Sequence, residues 1–155
     1  MEFEDTIVID AGKGHLWSLV SDPEVLASCV PGAKEVEQLS ETKYKGTIER
    51  SLAGISLALD GEVEITELNP PDDLSAHATG EDSKTNSRMD AVAEMTMTEA
   101  DEGGTALDYH VDMDFTGRLA TLGARIVKRK IRSDISMFFD NVQELAEQGE
   151  TAEPE

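Results

Sequence analysis

The chain has 155 residues, with 33 Asp and Glu against 13 Lys and Arg and a formal charge of −20. That length suits one domain, whose core buries roughly 68–70% of the surface the unfolded chain exposes. The charge excludes general nucleic-acid binding, which needs a basic surface, and no apolar run reaches the about 18 residues of a membrane-spanning helix.

The opening "MEFEDTIVID" is acidic and lacks the basic start and apolar block of a signal peptide. The single Cys29 can form no internal disulfide. A cytoplasmic protein is therefore expected. The acids are spread through every segment, and Lys is scarce. This reads as a surface adapted to a very salty cytoplasm, that of a halophile, rather than as an acidic interaction block. Only "EQGETAEPE" (Glu147–Glu155) is block-like. A folded domain is expected over 1–147 and an acidic disordered tail over 148–155.

In chain order, "FEDTIVID" alternates Phe3, Asp5, Ile7 and Ile9 against Glu4, Thr6, Val8 and Asp10, a strand pattern. After "AGKG", "HLWSLVSD" places Leu16, Trp17, Leu19 and Val20 on a helical face. "DPEVLASCV" begins a second short helix, with Asp22 as N-cap and Pro23 at the first helical position. Pro31-Gly32 ends it.

From Lys34 to Phe115 about six strands follow, parted by turn signals at "SETK" (40–43), "AG" (53–54), "NPPDD" (69–73), "GEDSKTNS" (80–87) and "EADEGG" (99–104). Leu57, Leu59, Gly61, Val63 and Ile65 share one face; Ala58, Asp60, Glu62, Glu64 and Thr66 share the other. One apolar and one charged face point to an antiparallel sheet wet on one side. The same parity puts Met89, Ala91, Ala93, Met95 and Met97 on an inner face, and likewise Leu107, Tyr109, Val111, Met113 and Phe115. Methionine adapts to irregular shapes, and alanine beside it leaves room. The pattern suits either a padded core or a cavity for a flexible apolar ligand.

The last element is expected to be one helix from Gly117 to Ala146, roughly 40 Å long. A sheet with one apolar face must cover it, and only this helix is large enough. Leu119, Leu122 and Ile126 form one apolar line. Val127, Ile131, Ile135, Phe138, Val142 and Leu145 form another, displaced by roughly 100°. Gly123 falls inside the helix, where it costs about 1 kcal/mol against alanine, and close approach by a strand or ligand would offset that. Six of the 13 basic residues also lie here, at 118, 125, 128, 129, 130 and 132. Arg118, Arg125, Lys128, Arg129 and Arg132 cluster on the side away from Leu119 and Ile126. Lys130 is placed to pair with Asp134 one turn on. The basic face is either a solvated helix back balanced by nearby carboxylates or a docking site for anionic lipid or an acidic partner.

Candidate chemistry is sparse. Asp108, His110, Asp112 and Asp114 line one strand face, but parity turns them outward, and no metal site is expected. His15 and His77 have no Ser or Cys partner pattern, and no nucleophile elbow appears. Cys29 reads as a buried, unreactive thiol. "GKGH" (12–15) lacks the spacing of a phosphate loop. On the inner face Tyr44 and Tyr109 are the groups able to move a proton, with Arg50 at the rim. This scarcity argues against an enzyme.

Two stretches carry a resemblance. "SDPEVLASCVPGAKEVE" (Ser21–Glu37) resembles the helix-turn of the carbon monoxide dehydrogenase G-subunit family. "GGTALDYHVDMDFTGRLATLGARIV" (Gly103–Val127) resembles that family's final strand and helix opening, and "LNPPDDL" (Leu68–Leu74) fits as well. The resemblance covers nearly the whole chain, to about Glu147. It implies an α+β, START-like (SRPBCC) helix-grip fold, a curved antiparallel sheet wrapped around a long C-terminal helix. It also implies a non-enzymatic accessory of a molybdenum CO dehydrogenase-type hydroxylase that couples the enzyme to the membrane or to its electron acceptor. By motif, Pro31 and Gly32 match the helix-turn, and Leu119, Leu122, Gly123 and Arg125 the helix opening.

Together these readings predict an apolar ligand, quinone or lipid, and no bound cofactor. The ligand would lie between the sheet residues Leu57, Leu59, Met89, Met95, Met97, Tyr109, Val111, Met113 and Phe115 and the helix residues Leu119, Leu122, Gly123 and Ile126. Expected partners are the hydroxylase subunits and, peripherally, the inner membrane face. The competing expectation is a polyketide cyclase or dehydratase on the same fold, with Tyr109 as its acid–base group.

Overall fold

The computed structural model describes residues 1–52 and 54–152. The alternating segments form seven strands: β1 (Glu2–Ile9), β2 (Ala33–Gln38), β3 (Lys43–Leu52), β4 (Ile55–Asn69), β5 (Asp73–Asp82), β6 (Ser87–Glu99) and β7 (Thr105–Thr116). They make one antiparallel sheet in the order β1-β7-β6-β5-β4-β3-β2. The helices are α1 (Lys13–Val20), α2 (Pro23–Cys29) and the long α3 (Ala124–Ala152). This is the expected α+β helix-grip arrangement. No helix among the described residues is long and apolar enough to cross a membrane.

Local chemistry explains the boundaries. The Asp22 side chain accepts a hydrogen bond from the Glu24 N–H at 3.0 Å and so caps α2, as the sequence indicates. Of the "AG" turn, Gly54 has φ 82°, whereas Ala53 lies outside the described residues. The turn expected over 80–87 is tighter than the sequence suggests: β5 continues to Asp82 and β6 begins at Ser87. The buried Asp82 carboxylate makes this possible. It accepts from the Ala58 N–H at 3.1 Å and the Lys84 N–H at 2.9 Å, satisfying backbone donors a short turn would strand.

Those donors hold the Asp82 carboxyl below its usual value of 3.8, the Ala58 N–H most strongly. Its stabilising contribution is thus present above the unfolded value and lost as pH falls through the lower folded one. Asp82→Asn is expected to lower stability at neutral pH and to flatten the acid limb. Urea melts across the acid range measure this; an acid limb equal to that of the unsubstituted protein would refute the assignment.

The sheet curls because its middle lacks side chains. Gly46, Gly61 and Gly80 stand side by side across β3, β4 and β5. A Cβ on Gly61 would overlap the carbonyl oxygen of Thr79, so the strands approach there as only glycine allows. The outer face carries the charge. Lys43 pairs with Glu62 at 3.5 Å, Lys34 with Glu49 at 2.7 Å and Lys45 with Glu37 at 3.5 Å. Exposed pairs of this kind contribute only about 0–1 kcal/mol each.

The C-terminal element differs from the single helix expected. Gly117–Leu122 is a 3-10 segment, Gly123 takes φ 97°, and the α-helix begins afresh at Ala124. Gly123 is therefore a break, not a mid-helix residue. No atom lies within 4 Å of where its Cβ would stand, so the positive φ, not close approach, accounts for the glycine. The helix continues to Ala152, while residues 153–155 lie outside the described residues.

Candidate functional site

The core is divided in two. One cluster joins Ile9, Leu16 and Val20 to Leu74, Met97 and Leu107 of the sheet and to Phe139, Val142 and Ala146 of α3. The other joins Leu57, Leu119 and Val127, with Met1, Ile55, Phe115, Leu122 and Ile131 against them. Between them the inner face is floored by small residues. Ala76 pairs with Ala93 and Ala78 with Ala91, beside the glycine row. Along one side of this floor Met89 of β6 and Val111, Met113 and Phe115 of β7 lie on the inner face yet are only half-buried. Ile131, Ile135 and Phe138 of α3 are half-buried as well. These apolar side chains face the interior but are only partly covered.

The expected lining residues divide accordingly. Met89, Val111, Met113, Phe115 and Leu122 are half-buried, Phe115 and Leu122 against the cluster near the start of α3. Leu57, Leu59 and Leu119 are buried, the first and last in the cluster near the start of α3. Met95 and Met97 are packed into the other cluster. Tyr109 stacks on Phe139 with ring centroids 4.6 Å apart. Gly123 and Ile126 are exposed, Ile126 at 45%. The wheel that aligned Ile126 with Leu119 assumed an unbroken helix, and the turn at Gly123 resets the phase. Leu145, placed on the core seam by the same wheel, is also exposed, whereas Phe139 and Ala146 are buried.

Electrostatics bear on proton transfer. Burial pushes the Tyr109 phenol up, with Asp5 adding to this and Arg132 opposing it. Burial also raises Tyr44, with Asp22 and Glu24 adding to it. Both phenols are held in their neutral form. Cys29 is buried, and burial raises its thiol, which matches the unreactive reading. His15 Nε2 lies 3.1 Å from the Ala146 carbonyl oxygen and ties α1 to α3. The outer histidines sit among carboxylates: His77 Nε2 lies 3.1 Å from Asp90, and His110 Nε2 3.0 Å from Glu2. The Glu2 hydrogen bond holds His110 above its usual value. No three His, Cys, Asp or Glu side chains among the described residues are grouped for a metal ion.

Two polar clefts mark the surface. One, of about 490 Å³, is lined by Glu4, Asp5, Thr6, Glu94, Asp108 and His110 among others. The second, of about 620 Å³, lies by Asp60, Glu81, Asp82, Asn86, Arg88 and Gly117. Neither is lined by the inner methionines, and their carboxylates suit an apolar ligand poorly.

Arg50 does more than sit at a rim. Its Nε donates to Asp134 Oδ2 at 3.1 Å and its Nη2 to Oδ1, joining β3 to α3. Lys130 lies 3.7 Å from the same carboxylate, in the i,i+4 pair the sequence suggests. The 84-residue separation of Arg50 and Asp134 hides their pairing from any local pattern.

Most basic residues outside the stripe are paired, Lys84 in the β5–β6 turn having no ion pair among the described residues. Lys13, Lys34, Lys43, Lys45, Arg50, Arg88 and Lys130 each meet a carboxylate. Arg118, Arg125, Lys128, Arg129 and Arg132 are exposed and form no ion pair among the described residues. Arg118 belongs to the 3-10 segment and the others to the first turns of α3. No contact ion pair therefore covers these five side chains among the described residues.

A seven-stranded antiparallel sheet with a long C-terminal helix against it defines a helix-grip protein. A conserved protein from Geobacillus kaustophilus shares this fold, with TM-score 0.88, 24% identity and 96% of each chain covered. So do proteins from Chromobacterium violaceum (TM-score 0.69, 15% identity, 94% of this chain and 97% of that one) and Thermus thermophilus (0.68, 12%, 96% and 99%). No curated protein sequence matches this chain. The family profile of the carbon monoxide dehydrogenase G subunit (CoxG) matches residues 6–147, and the chain belongs to that family.

Proposed function

We propose that this protein is a non-enzymatic accessory of a molybdenum CO dehydrogenase-type hydroxylase that carries an apolar ligand, a quinone or lipid, between its sheet and α3. Family membership supports the accessory role. The observation that carries the ligand is the half-buried row of Met89, Val111, Met113 and Phe115 beside a floor of glycine and alanine, which we read as the wall of an apolar concavity under α3. Ordinary cores are packed to crystal density; here the inner-face groups are only partly covered, and an apolar guest would complete their burial. The unpaired cations of Arg118, Arg125, Lys128, Arg129 and Arg132 form the docking face through which the loaded protein meets the hydroxylase or the inner membrane surface. Four of the five are arginines, whose planar forks bind carboxylate or phosphate in two-point fashion.

Solvent extraction of protein made in its native host, followed by mass spectrometry, tests the reading. An apolar molecule is expected in about stoichiometric amount, and Ala78→Leu, which raises the floor, is expected to reduce it severalfold. Recovery of none would overturn the ligand. Reversal of Arg125, Arg129 and Arg132 to Glu is expected to leave the extracted amount unchanged but to abolish association with both hydroxylase and anionic vesicles. Association that survives the reversal would remove the docking face from the proposal.

A further inference from the structure

We infer that the Arg50–Asp134 ion pair is a latch across the mouth of the concavity, and that Arg50 controls how fast an apolar ligand passes it. The inference rests on the reading that this space holds such a ligand.

The first support is position. Arg50 lies on the inner face of β3, opposite Leu57 of one core cluster. Asp134 sits between Ile131, which packs on that cluster, and Ile135, which packs on the other. The pair thus spans the gap between the two. Further along α3, the Asn141 Nδ2 donates to the Cys29 carbonyl at 2.9 Å and the Ala146 carbonyl meets His15. Those ties hold the C-terminal half of the helix to α2 and α1, and Arg50 joins its N-terminal half to the sheet.

The second support is the chemistry around the pair. Val63, on the inner face of β4, is 41% exposed, and Met137, three residues beyond Asp134, is 43% exposed. Val36 of the edge strand β2 is also exposed, and a Cβ on Gly46 would touch its Cγ2 at 3.3 Å, which places it over the inner face. The apolar surface therefore reaches solvent along the β2–β4 side, and a half-buried ion pair crosses it. The Arg50 and Asp134 side chains are only 22% and 18% exposed.

The third support is that the pair is built to open at low cost. The Arg50 stem lies beside the turn at Gly32, where a Cβ would stand 3.1 Å from its Cδ. Rotation of the guanidinium into solvent hydrates it fully. Asp134 would then be a half-buried carboxylate without a partner, which is costly, were Lys130 not already beside it. Lys130 keeps the carboxylate neutralised in the open state. Neither α3 nor the sheet has to move. A contact pair of this kind also persists at high salt, where charge acts over only about 3 Å.

The test follows uptake and release of N-phenyl-1-naphthylamine, a neutral dye that brightens in apolar surroundings, by stopped flow. Arg50→Gln is expected to speed both steps by about tenfold, the equivalent of roughly 1.4 kcal/mol on each barrier, with Kd nearly unchanged. Asp134→Asn, acting from the helix side, is expected to do the same. Arg50→Lys, which keeps the charge and loses the two-point contact, is expected to fall between. Thermal melts confirm folding of each variant, and either glutamine or asparagine variant suffices if the other fails to fold. Dye uptake at unchanged rates in the folded variant would overturn the latch and leave the ligand reading intact. No uptake by the unsubstituted protein would overturn both.

Discussion

Gly117→Ala is expected to destabilise the protein by roughly 3–5 kcal/mol, and a urea melt of the variant against the unsubstituted chain would measure it. Two causes act together. Gly117 has φ 82°, a conformation that costs an L-residue about 1–2 kcal/mol. Its missing Cβ also leaves room for the carbonyl oxygen of Asn86, which an added methyl would overlap, with the Ser87 Cα only 3.0 Å away. These are backbone atoms of a tight turn and cannot swing aside. The damage would reach α3, because this junction anchors the helix approach. The Leu119 N–H donates to Ser87 Oγ at 3.0 Å, and Thr85 Oγ1 donates to the same hydroxyl at 2.8 Å. Leu119 itself is buried beneath Val127 and Leu57. Displacing the β5–β6 turn would lift this cluster. A loss below about 1 kcal/mol would show that the turn yields, and that the junction is softer than its contacts imply.

Phe139→Ala is expected to cost about 3–5 kcal/mol, the range for deleting a buried ring. Phe139 is 7% exposed, stacks on Tyr109 and meets Phe138 edge-on with centroids 5.0 Å apart. Aromatic pairs add about 0.5–1.5 kcal/mol beyond the area they bury. Under the proposed function the ring would also close one end of the concavity. Calorimetry would give the loss in stability, and the extraction experiment would give a second reading. If Phe139 only packs the core, the variant retains its apolar molecule in proportion to the folded fraction. A change within about 0.5 kcal/mol would mean that the neighbouring core closes over the space.

Much of the sheet was legible because a strand exposes its pattern residue by residue. Period-two alternation separated Leu57, Leu59 and Ile65 from Asp60, Glu62 and Glu64, and the register confirms which face each occupies. Asp22 and Pro23 marked the start of α2 because a cap is a local event. Arg50 could be placed at the rim of the inner face for the same reason. Its partner could not, since nothing in a local pattern relates β3 to a helix 84 residues on.

The helix was read less well, and the cause is specific. A wheel accumulates 100° per residue and carries no term for interruption. The 3-10 segment and the φ 97° turn at Gly123 break that sum. Leu119, set by the 3-10 segment, is buried, whereas Ile126, set by the restarted helix, is exposed and falls out of line with it. Phe139 fell one position off the seam traced through Phe138 and Val142, yet it is the more buried of the two phenylalanines. The glycine itself was the available signal. Read as a stop rather than as a costly interior residue, it would have divided the element correctly.

The two-part core separates what holds the chain folded from what would determine its cargo. Leu16, Leu107 and Val142 at one end, and Leu57, Leu119 and Val127 at the other, form the fully buried packing of the helix against the sheet. Selection for folding therefore bears on the ends. Under the proposed function, selection for a particular guest bears on the floor at Ala76, Ala78, Ala91 and Ala93 and on the methionines above it. A substitution in the middle alters what fits, and one at an end alters whether the chain folds at all. Descendants of such a chain can exchange one hydrophobic passenger for another in a few steps, because the residues that would have to change are not those that keep the protein intact.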